Sequence, residues 1–291
     1  MKKIIGFFVV ASVLFFSIIC NAQQYTPGIE GVDAGSYLPS NDGFTVKVDN
    51  AFYSTGNIQD MNINDFDLFK YTAFVRGFYG INTEFFGAKW VPNVSVPVIY
   101  GDLDVNAFNA EDYTLGNIYI EPVAFLWNFD NVDVVFSGGF YSPTSDEDNA
   151  VTYGQDYWTG IAKLGGTYYF GAVNPWTISG LASYEYNSDS ESYDIEIGDT
   201  FTLEVGVGKF IEDSFRVGVV GYAQWQLDDN FGKDLSVWQL ANNGEVYALG
   251  PQADFYINSW GITVSAKSLF EFGAEERSNG NLTVLSISKA F

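Results

Sequence analysis

Apolar and polar residues alternate along most of the chain from residue 43 onwards, whereas helical periodicity is nearly absent. In the stretch 199–211, Leu203 and Val205 fall on one side, while Thr202 and Glu204 fall on the other. Successive side chains of a β-strand point to opposite faces in this way. The alternation predicts twelve strands of about ten to fifteen residues, at 43–55, 66–80, 89–101, 117–128, 131–142, 159–171, 174–187, 199–211, 214–226, 245–257, 260–271 and 281–291.

The connections between these stretches alternate between short and long. Short ones such as "FDNV" and "INS" are followed by long ones such as "GDLDVNAFNAEDYTLG". Short periplasmic turns and long extracellular loops are typical of outer-membrane barrels, and strands of this length can cross a membrane at a tilt. We therefore predict an all-β fold, a transmembrane antiparallel β-barrel of about 12 strands over 43–291. Alternation alone is also compatible with a secreted soluble β-protein, whose apolar face would cover a core.

The distribution of charge favours the barrel. Of the 11 basic residues left once Lys2 and Lys3 are set aside, nine lie within or at the ends of the predicted strands, whereas the long loops hold about 20 of the 36 acidic residues. Most of these bases share the small, polar strand face with carboxylates, so the charges would pair inside a closed barrel. The residues predicted to line the pore are Lys47, Asp49, Lys70, Arg76, Glu121, Lys163, Glu185, Glu204, Arg216, Gln224, Asp254 and Lys267.

Tryptophan residues lie mostly at strand ends. Those predicted to sit at the membrane–water interface are Trp90, Trp127, Trp158, Trp176, Trp225 and Trp260. Only Trp238 lies within a loop. Because indole prefers that interface, the pattern predicts two aromatic girdles.

The first 22 residues have the features of a secretory signal peptide. Lys2 and Lys3 precede an apolar run that ends at Cys20, and cleavage is expected after Ala22. An uncleaved membrane anchor is the alternative, and lipidation of Cys20 is disfavoured because Ile19 is not small. Residues 23–42 contain glycine and proline and precede the first strand. They are expected to form either a partial plug in the lumen or a flexible periplasmic segment.

The last predicted strand ends on Phe291 within its alternating pattern. We expect this strand to close the barrel against the first one. A terminal aromatic strand resembles the signal by which outer-membrane proteins bind the barrel-assembly machinery, although the residue two positions earlier on that face is Lys289.

The composition excludes several classes of chemistry. The chain has no histidine, and its one cysteine is Cys20, so triad catalysis and histidine-based metal sites are absent. We expect no enzymatic activity, cofactor or metal site. Losing Lys2 and Lys3 would take the net charge from −23 to −25, which argues against nucleic-acid binding. The acidic clusters 145–149, 188–194 and 227–234 could bind calcium but match no known calcium loop, and solvated loops are the simpler interpretation.

Two stretches resemble a known family. "QYTPGIEGVDAGSYLP" followed by an aromatic first strand with "FYST", and "VPVIYGDLDV" at 96–105, resemble the outer-membrane family named for meta-pathway phenol degradation. The resemblance implies a monomeric barrel that moves small hydrophobic or aromatic compounds across the outer membrane. It supplies no binding-residue motif.

These observations lead to two main hypotheses for function. The first is a passive outer-membrane channel or transporter for small solutes, in which inner-face aromatics such as Phe74, Phe78, Tyr169 and Tyr222 either form a path or fill space. The second is a non-transporting barrel in the outer-membrane lipid, a surface adhesin or structural anchor that presents acidic loops. The sequence does not identify the solute.

Overall fold

The computed structural model describes residues 24–56, 66–105, 108–146, 152, 155–173, 175–235 and 244–291. The predicted signal peptide, residue 23, Trp238 and residues 147–149 of the first acidic cluster lie outside these ranges. Among the described residues, no helix is long and apolar enough to cross a membrane.

Twelve long strands form the wall of the molecule. In chain order they are β1 Gly43–Thr55, β2 Phe66–Gly80, β3 Asn93–Val105, β4 Ile118–Asn128, β5 Val132–Ser142, β6 Thr159–Phe170, β7 Trp176–Asn187, β8 Thr200–Glu212, β9 Phe215–Gln226, β10 Glu245–Ile257, β11 Ile262–Glu275 and β12 Asn281–Ala290.

Antiparallel pairing between chain neighbours closes these strands into a barrel. The first and last strands pair over ten residues, from Thr45 opposite Ala290 to Ser54 opposite Asn281. The prediction of a closed, antiparallel, twelve-stranded barrel is confirmed. Closure pairs the backbone groups of both terminal strands, which an open sheet would leave exposed.

The two faces of each strand differ as the alternation predicts. Val205 and Val217 point outwards and are 46% and 37% exposed. Glu204 and Arg216, next to them in the chain, point inwards and are only 1% and 3% exposed. The apolar residues therefore face outwards and the ionic residues face the interior, which is the arrangement of a barrel in lipid.

The predicted third strand, 89–101, is placed about four residues too early. β3 begins at Asn93 and extends to Val105, and Phe108–Leu115, predicted as loop, is a strand that pairs with it. Rings of Tyr100 and Tyr113 pack at 4.5 Å across this extension. Cross-strand aromatic contact stabilises the hairpin, and the acidic residues within it had suggested a loop. As a result, β3 pairs with β4 over only three residues.

The segment predicted as the first short turn, "GINTEFFGA", contains a small hairpin. Glu84–Phe85 pairs with Ala88–Trp90, which in turn pairs with β4. In the turn, Phe86 has φ 53° and Gly87 has φ 74°. Glycine adopts a positive φ without strain, whereas phenylalanine does so at a cost. This hairpin continues the wall below the start of β3.

Residues 24–42, hereafter the plug, run inside the barrel. They contain one 3₁₀ helix, Gly31–Ser36, and residues 27–32 are all buried. Glycines let this segment approach the wall: a Cβ on Gly35 would lie 1.9 Å from the backbone oxygen of Gly166, and a Cβ on Gly206 would lie 2.7 Å from the Cα of Val32. Gly206 belongs to the "VGVGK" stretch of β8, so its missing side chain makes room for the plug.

Candidate functional site: the lumen and its plug

The periplasmic half of the plug is held by ion pairs. Lys47 of β1 and Arg76 of β2 lie opposite each other in the strand register, and both side chains point into the lumen. Glu30 of the plug lies 2.8 Å from Arg76 and 3.5 Å from Lys47. Asp49 completes the group at 3.1 Å from Lys47 and 3.5 Å from Arg76. Two cations thus share two carboxylates, one of which belongs to the plug.

A second buried arginine binds the plug nearby. Arg216 of β9 contacts Asp33 at 2.7 Å and Asp254 of β10 at 2.8 Å. Lys267 of β11 donates a hydrogen bond of 2.5 Å to the carbonyl oxygen of Ile29. Charge-assisted bonds of this kind are stronger than neutral ones, so the lower plug is attached to three separate parts of the wall.

The other half of the plug is held without ion pairs. Glu185 accepts hydrogen bonds from the backbone N–H groups of Gln24, at 3.2 Å, and Tyr25, at 2.9 Å. Glu204 accepts one from the Tyr25 hydroxyl and one of 3.3 Å from the Glu30 N–H. The second oxygen of Glu185 is buried and has no hydrogen-bond partner. Within the described residues, neither carboxylate has a basic side chain within 4 Å.

A cage of tyrosines surrounds a buried lysine between these two regions. Lys163 lies 3.3 Å from Glu121 and 4.6–5.2 Å from the ring centres of Tyr25, Tyr37 and Tyr119. The Tyr37 hydroxyl donates a 3.0 Å hydrogen bond to Glu121. Cation–π contacts and hydrogen bonds therefore bind two plug tyrosines to the wall.

Glu30 belongs to the plug, and it can form ion pairs with Arg76 and Lys47 only if its carboxyl group is ionised. Burial acts to raise the pKa of Glu30, but Arg76 and Lys47 outweigh it and hold the pKa well below its usual range. Glu30 is therefore a carboxylate at neutral pH.

The plug divides the lumen into two chambers. The upper chamber, on the long-loop side, is lined by rings of Tyr53, Phe74, Tyr141 and Tyr222. The lower chamber is lined mainly by polar residues and also by Phe78.

A side pocket lies beside the plug, between the two chambers. It shares Phe74 and Tyr141 with the upper chamber and also borders Arg76. Glu30 borders both the side pocket and the lower chamber. The narrow region between the chambers is therefore the place where Glu30 meets Arg76.

The predicted pore-lining residues all have side chains directed into the barrel, and most of them meet in the groups above. Lys70 lies apart and borders the upper chamber. Gln224 lies high on β9, where it donates to Thr202 and accepts from Arg277. The sequence did not single out the plug residues Tyr25, Glu30, Asp33 and Tyr37. One signal could have identified Glu30 and Asp33. They are carboxylates in the segment before the first strand, and several basic residues lie on the inner faces of the strands.

The six predicted interface tryptophans lie at the barrel ends, outside the lumen. Three are well exposed, namely Trp158 at 46%, Trp176 at 42% and Trp260 at 65%. The others donate indole hydrogen bonds: Trp90 to Pro122, Trp127 to Phe86 and Trp225 to Tyr247. Lys209 lies 5.2 Å from the Trp176 ring centre, and Lys289 donates to the carbonyl of Trp260.

Phe291 lies at the seam between the first and last strands. Its N–H donates a 2.9 Å hydrogen bond to the carbonyl of Phe44, and the two rings lie 6.4 Å apart. The ring remains 71% exposed, so the terminal aromatic is presented on the outer face at the short-turn end.

Parts of three long loops, those after β5, β7 and β9, pack together into a cap. Tyr157, Ile195 and Ile197 form a buried cluster, and Ile195–Glu196 pairs with Phe231–Gly232. Of the acidic clusters considered for calcium, 188–194 and 227–234 belong to this cap, where Asp194 pairs with Lys233 at 2.8 Å. In the part of the chain that the structure describes, no group of three or more metal-ligating side chains is gathered.

A closed twelve-stranded barrel with an apolar outer face and a charged interior defines an outer-membrane β-barrel protein. Residues 39–287 match the family described as "Putative MetA-pathway of phenol degradation", and the chain belongs to this family. The family predicted from the sequence is thereby confirmed.

Solved structures share the fold at low sequence identity. An outer membrane channel from Pseudomonas putida is 13% identical, with a TM-score of 0.73 over 88% of this chain and 98% of that one. The beta domain of the Bordetella autotransporter BrkA is 12% identical, with a TM-score of 0.53 over 86% of this chain and 100% of that one. No curated protein sequence matches the chain.

Proposed function

We propose that this protein is a passive, non-catalytic channel or transporter of the bacterial outer membrane for small solutes, including hydrophobic or aromatic ones. The observation that carries the proposal is the pair of internal chambers separated by a plug. A barrel that served only as an anchor would need no internal space. The similar barrel from Pseudomonas putida is an outer membrane channel, and this likeness and the family membership support the same function.

Aromatic side chains lie along the route from one chamber to the other. Tyr53 and Tyr222 border the upper chamber, Phe74 borders both that chamber and the side pocket, and Phe78 borders the lower chamber. Apolar and aromatic surfaces with a few polar groups are typical of small-molecule sites. We propose that these rings guide the solute past the plug.

The position of the plug supports removal of a signal peptide after Ala22. Gln24 binds Glu185, which lies two residues from the long-loop end of β7. A chain still anchored in the inner membrane would have to return through the lumen to reach the periplasm. We further propose that the exposed Phe291 ring is recognised by the barrel-assembly machinery and that the protein inserts into lipid as a monomer.

Deleting residues 24–38 tests the proposal. The shortened barrel should form large, stable conductances in planar bilayers and admit small aromatic solutes into liposomes, whereas the full-length protein should conduct little. A barrel that folds, as shown by faster migration when unboiled, but neither conducts nor admits solute would remove the channel function. Deletion of residues 84–87 from the periplasmic hairpin is a control that leaves the plug in place.

A second candidate is a surface adhesin or structural anchor, favoured by the packed cap of Tyr157, Ile195 and Ile197. For this function, deleting loop residues 227–244 should abolish partner binding and leave permeability unchanged. If the same deletion instead raises permeability, the cap controls access to the lumen.

A further inference from the structure

The most closely built site on the solute route is the contact between the plug and the basic pair Arg76 and Lys47. Arg76 is 5% exposed, and the side chain of Glu30 is 2% exposed. Both oxygens of Glu30 are used, one at 2.8 Å from Arg76 and the other at 3.5 Å from Lys47. The wall therefore provides a buried two-cation site that is filled by a carboxylate.

Without the plug, this site keeps one wall carboxylate within ion-pair distance among the described residues. Asp49 is the carboxylate of the wall that contacts Arg76 and Lys47. When Glu30 leaves, one carboxylate faces two cations, and an uncompensated buried charge is strongly unfavourable. Lys267 loses its carbonyl partner on Ile29 in the same movement. A neutral solute would not offset this loss, whereas a carboxylate that takes the place of Glu30 would.

The surroundings of the site define the rest of the ligand. The Arg76 guanidinium lies 5.2 Å from the ring centre of Phe78, and Phe74 lies on the same strand face one step towards the upper chamber. An aromatic ring could therefore contact Phe74 while its acid group reaches Arg76, because a guanidinium binds a carboxylate through two parallel hydrogen bonds.

We propose that Arg76 and Lys47 form a carboxylate-binding site, that Glu30 occupies it in the closed state as an internal substitute for the solute, and that aromatic carboxylates are the solutes that displace it. The solute class rests on the channel function proposed above, but the site itself does not. Binding of the acid to the vacated site stabilises the open arrangement by mass action, so the solute itself favours release of the plug.

The first test vacates the site. Glu30→Ala removes the carboxylate and leaves Arg76 and Lys47 in place. Benzoate should raise the melting temperature of this variant by several degrees in detergent micelles and have little effect on the wild type. Benzamide, which has the same ring without the charge, should have no effect. The double variant Glu30→Ala/Arg76→Gln should lose the response. An equal response to benzamide, or one that persists without Arg76, would overturn the proposal.

The second test leaves Glu30 in place and so does not depend on how well that variant folds. Ala34 is fully buried in the plug, and the predicted mature chain has no cysteine. In an Ala34→Cys protein, benzoate should increase the rate of labelling by a water-soluble maleimide about tenfold, the change expected for one strong ion contact. Arg76→Gln should abolish the increase relative to its own baseline. An unchanged rate with benzoate contradicts displacement of the plug.

Bilayer recordings separate this inference from the proposed function. If the Glu30→Ala barrel conducts but shows no benzoate response in either test, the carboxylate site is wrong and the channel stands. If benzoate binds and the plug-deleted barrel never conducts, the site stands and the channel is wrong.

Discussion

The two halves of the plug are attached to the barrel by different chemistry. In the periplasmic half, Glu30 and Asp33 bring carboxylates to buried arginines. In the other half, Gln24 and Tyr25 bring N–H and O–H donors to the carboxylates Glu185 and Glu204. The lower contacts are ion pairs between plug and wall, whereas the upper contacts are hydrogen bonds to wall carboxylates and a cation–π contact between Lys163 and the Tyr25 ring.

The two kinds of contact predict where the closed state is most sensitive to mutation. Removing one member of a buried ion pair leaves its partner charged in a poorly hydrated place, whereas removing one hydrogen bond leaves a single polar atom unsatisfied. Single substitutions in the periplasmic half should therefore destabilise the closed barrel more than those in the other half.

The largest effect is expected for Arg216→Met. Buried Asp254 and partly exposed Asp33 would lose their shared cation, so the free energy of unfolding in urea should fall by about 3–5 kcal/mol. Tryptophan fluorescence of the barrel in lipid or detergent measures it. Lys289→Met removes a cation from the barrel exterior and serves as the control. Equal losses for the two variants would mean that the buried ion pairs of Arg216 stabilise the barrel no more than the exposed Lys289 does.

Tyr25→Phe should have an intermediate effect. It removes the hydroxyl that donates a hydrogen bond to Glu204 and keeps the aromatic ring beside Lys163. The same unfolding measurement should show a loss of about 1–2 kcal/mol, the cost of one unsatisfied buried acceptor. Tyr186→Phe, on the outward face, is the matched control and should change little. A loss as large as that of Arg216→Met would erase the contrast between the two halves.

Glu185→Gln should change stability by less than about 1 kcal/mol. The amide keeps one oxygen to accept from Gln24 and Tyr25, and it replaces a carboxylate that has one unpartnered oxygen. Glu185→Leu removes both acceptors and should cost more in the same urea titration. If the glutamine variant loses as much as the leucine variant, the negative charge itself holds the plug.

The smallest effect is expected for the exposed pair Asp194 and Lys233 on the cap. The hydrogen bond and charge of Lys233 hold the pKa of Asp194 below its usual range. A lowered pKa means that the stabilisation is present above the unfolded-state pKa and is lost as the pH falls through the folded-state value. Lys233→Ala should therefore leave stability at neutral pH almost unchanged, because salt and water screen exposed pairs. A clear loss at pH 7 would show that the cap is more rigid than its exposure suggests.

The long strands were the most predictable part of the fold. The positions of β5 and β8 follow from alternation, because a strand with lipid on one side and charge on the other must repeat every two residues. From the sequence, β3 was predicted too early because its upper half carries Asp102 and Asp104, and acidic residues at such positions are typical of loops. In the structure these carboxylates lie on the outer face of the extended hairpin, where a sequence pattern cannot tell exposed strand from exposed loop.

In the candidate site, the basic residues of the barrel wall were predictable from the sequence, but the residues that they contact were not. Lys47, Arg76 and Arg216 stand on the polar faces of strands, so their direction follows from the strand period. Their partners do not: Glu30 and Arg76 are 46 residues apart, and Tyr25 and Glu204 are 179 apart. No local pattern specifies which of many lumen carboxylates a cation will meet.

The local sequence pattern was enough to specify the twelve-stranded barrel, the alternation of short turns and long loops, and the side chains on each face, because these depend on the strand period and on the solvent around each face. The position of residues 24–42 inside the lumen and the placement of Glu30 between two cations follow from the three-dimensional structure alone. This arrangement depends on closure of the barrel, which brings distant strands around the plug and excludes the water that would otherwise solvate its charges.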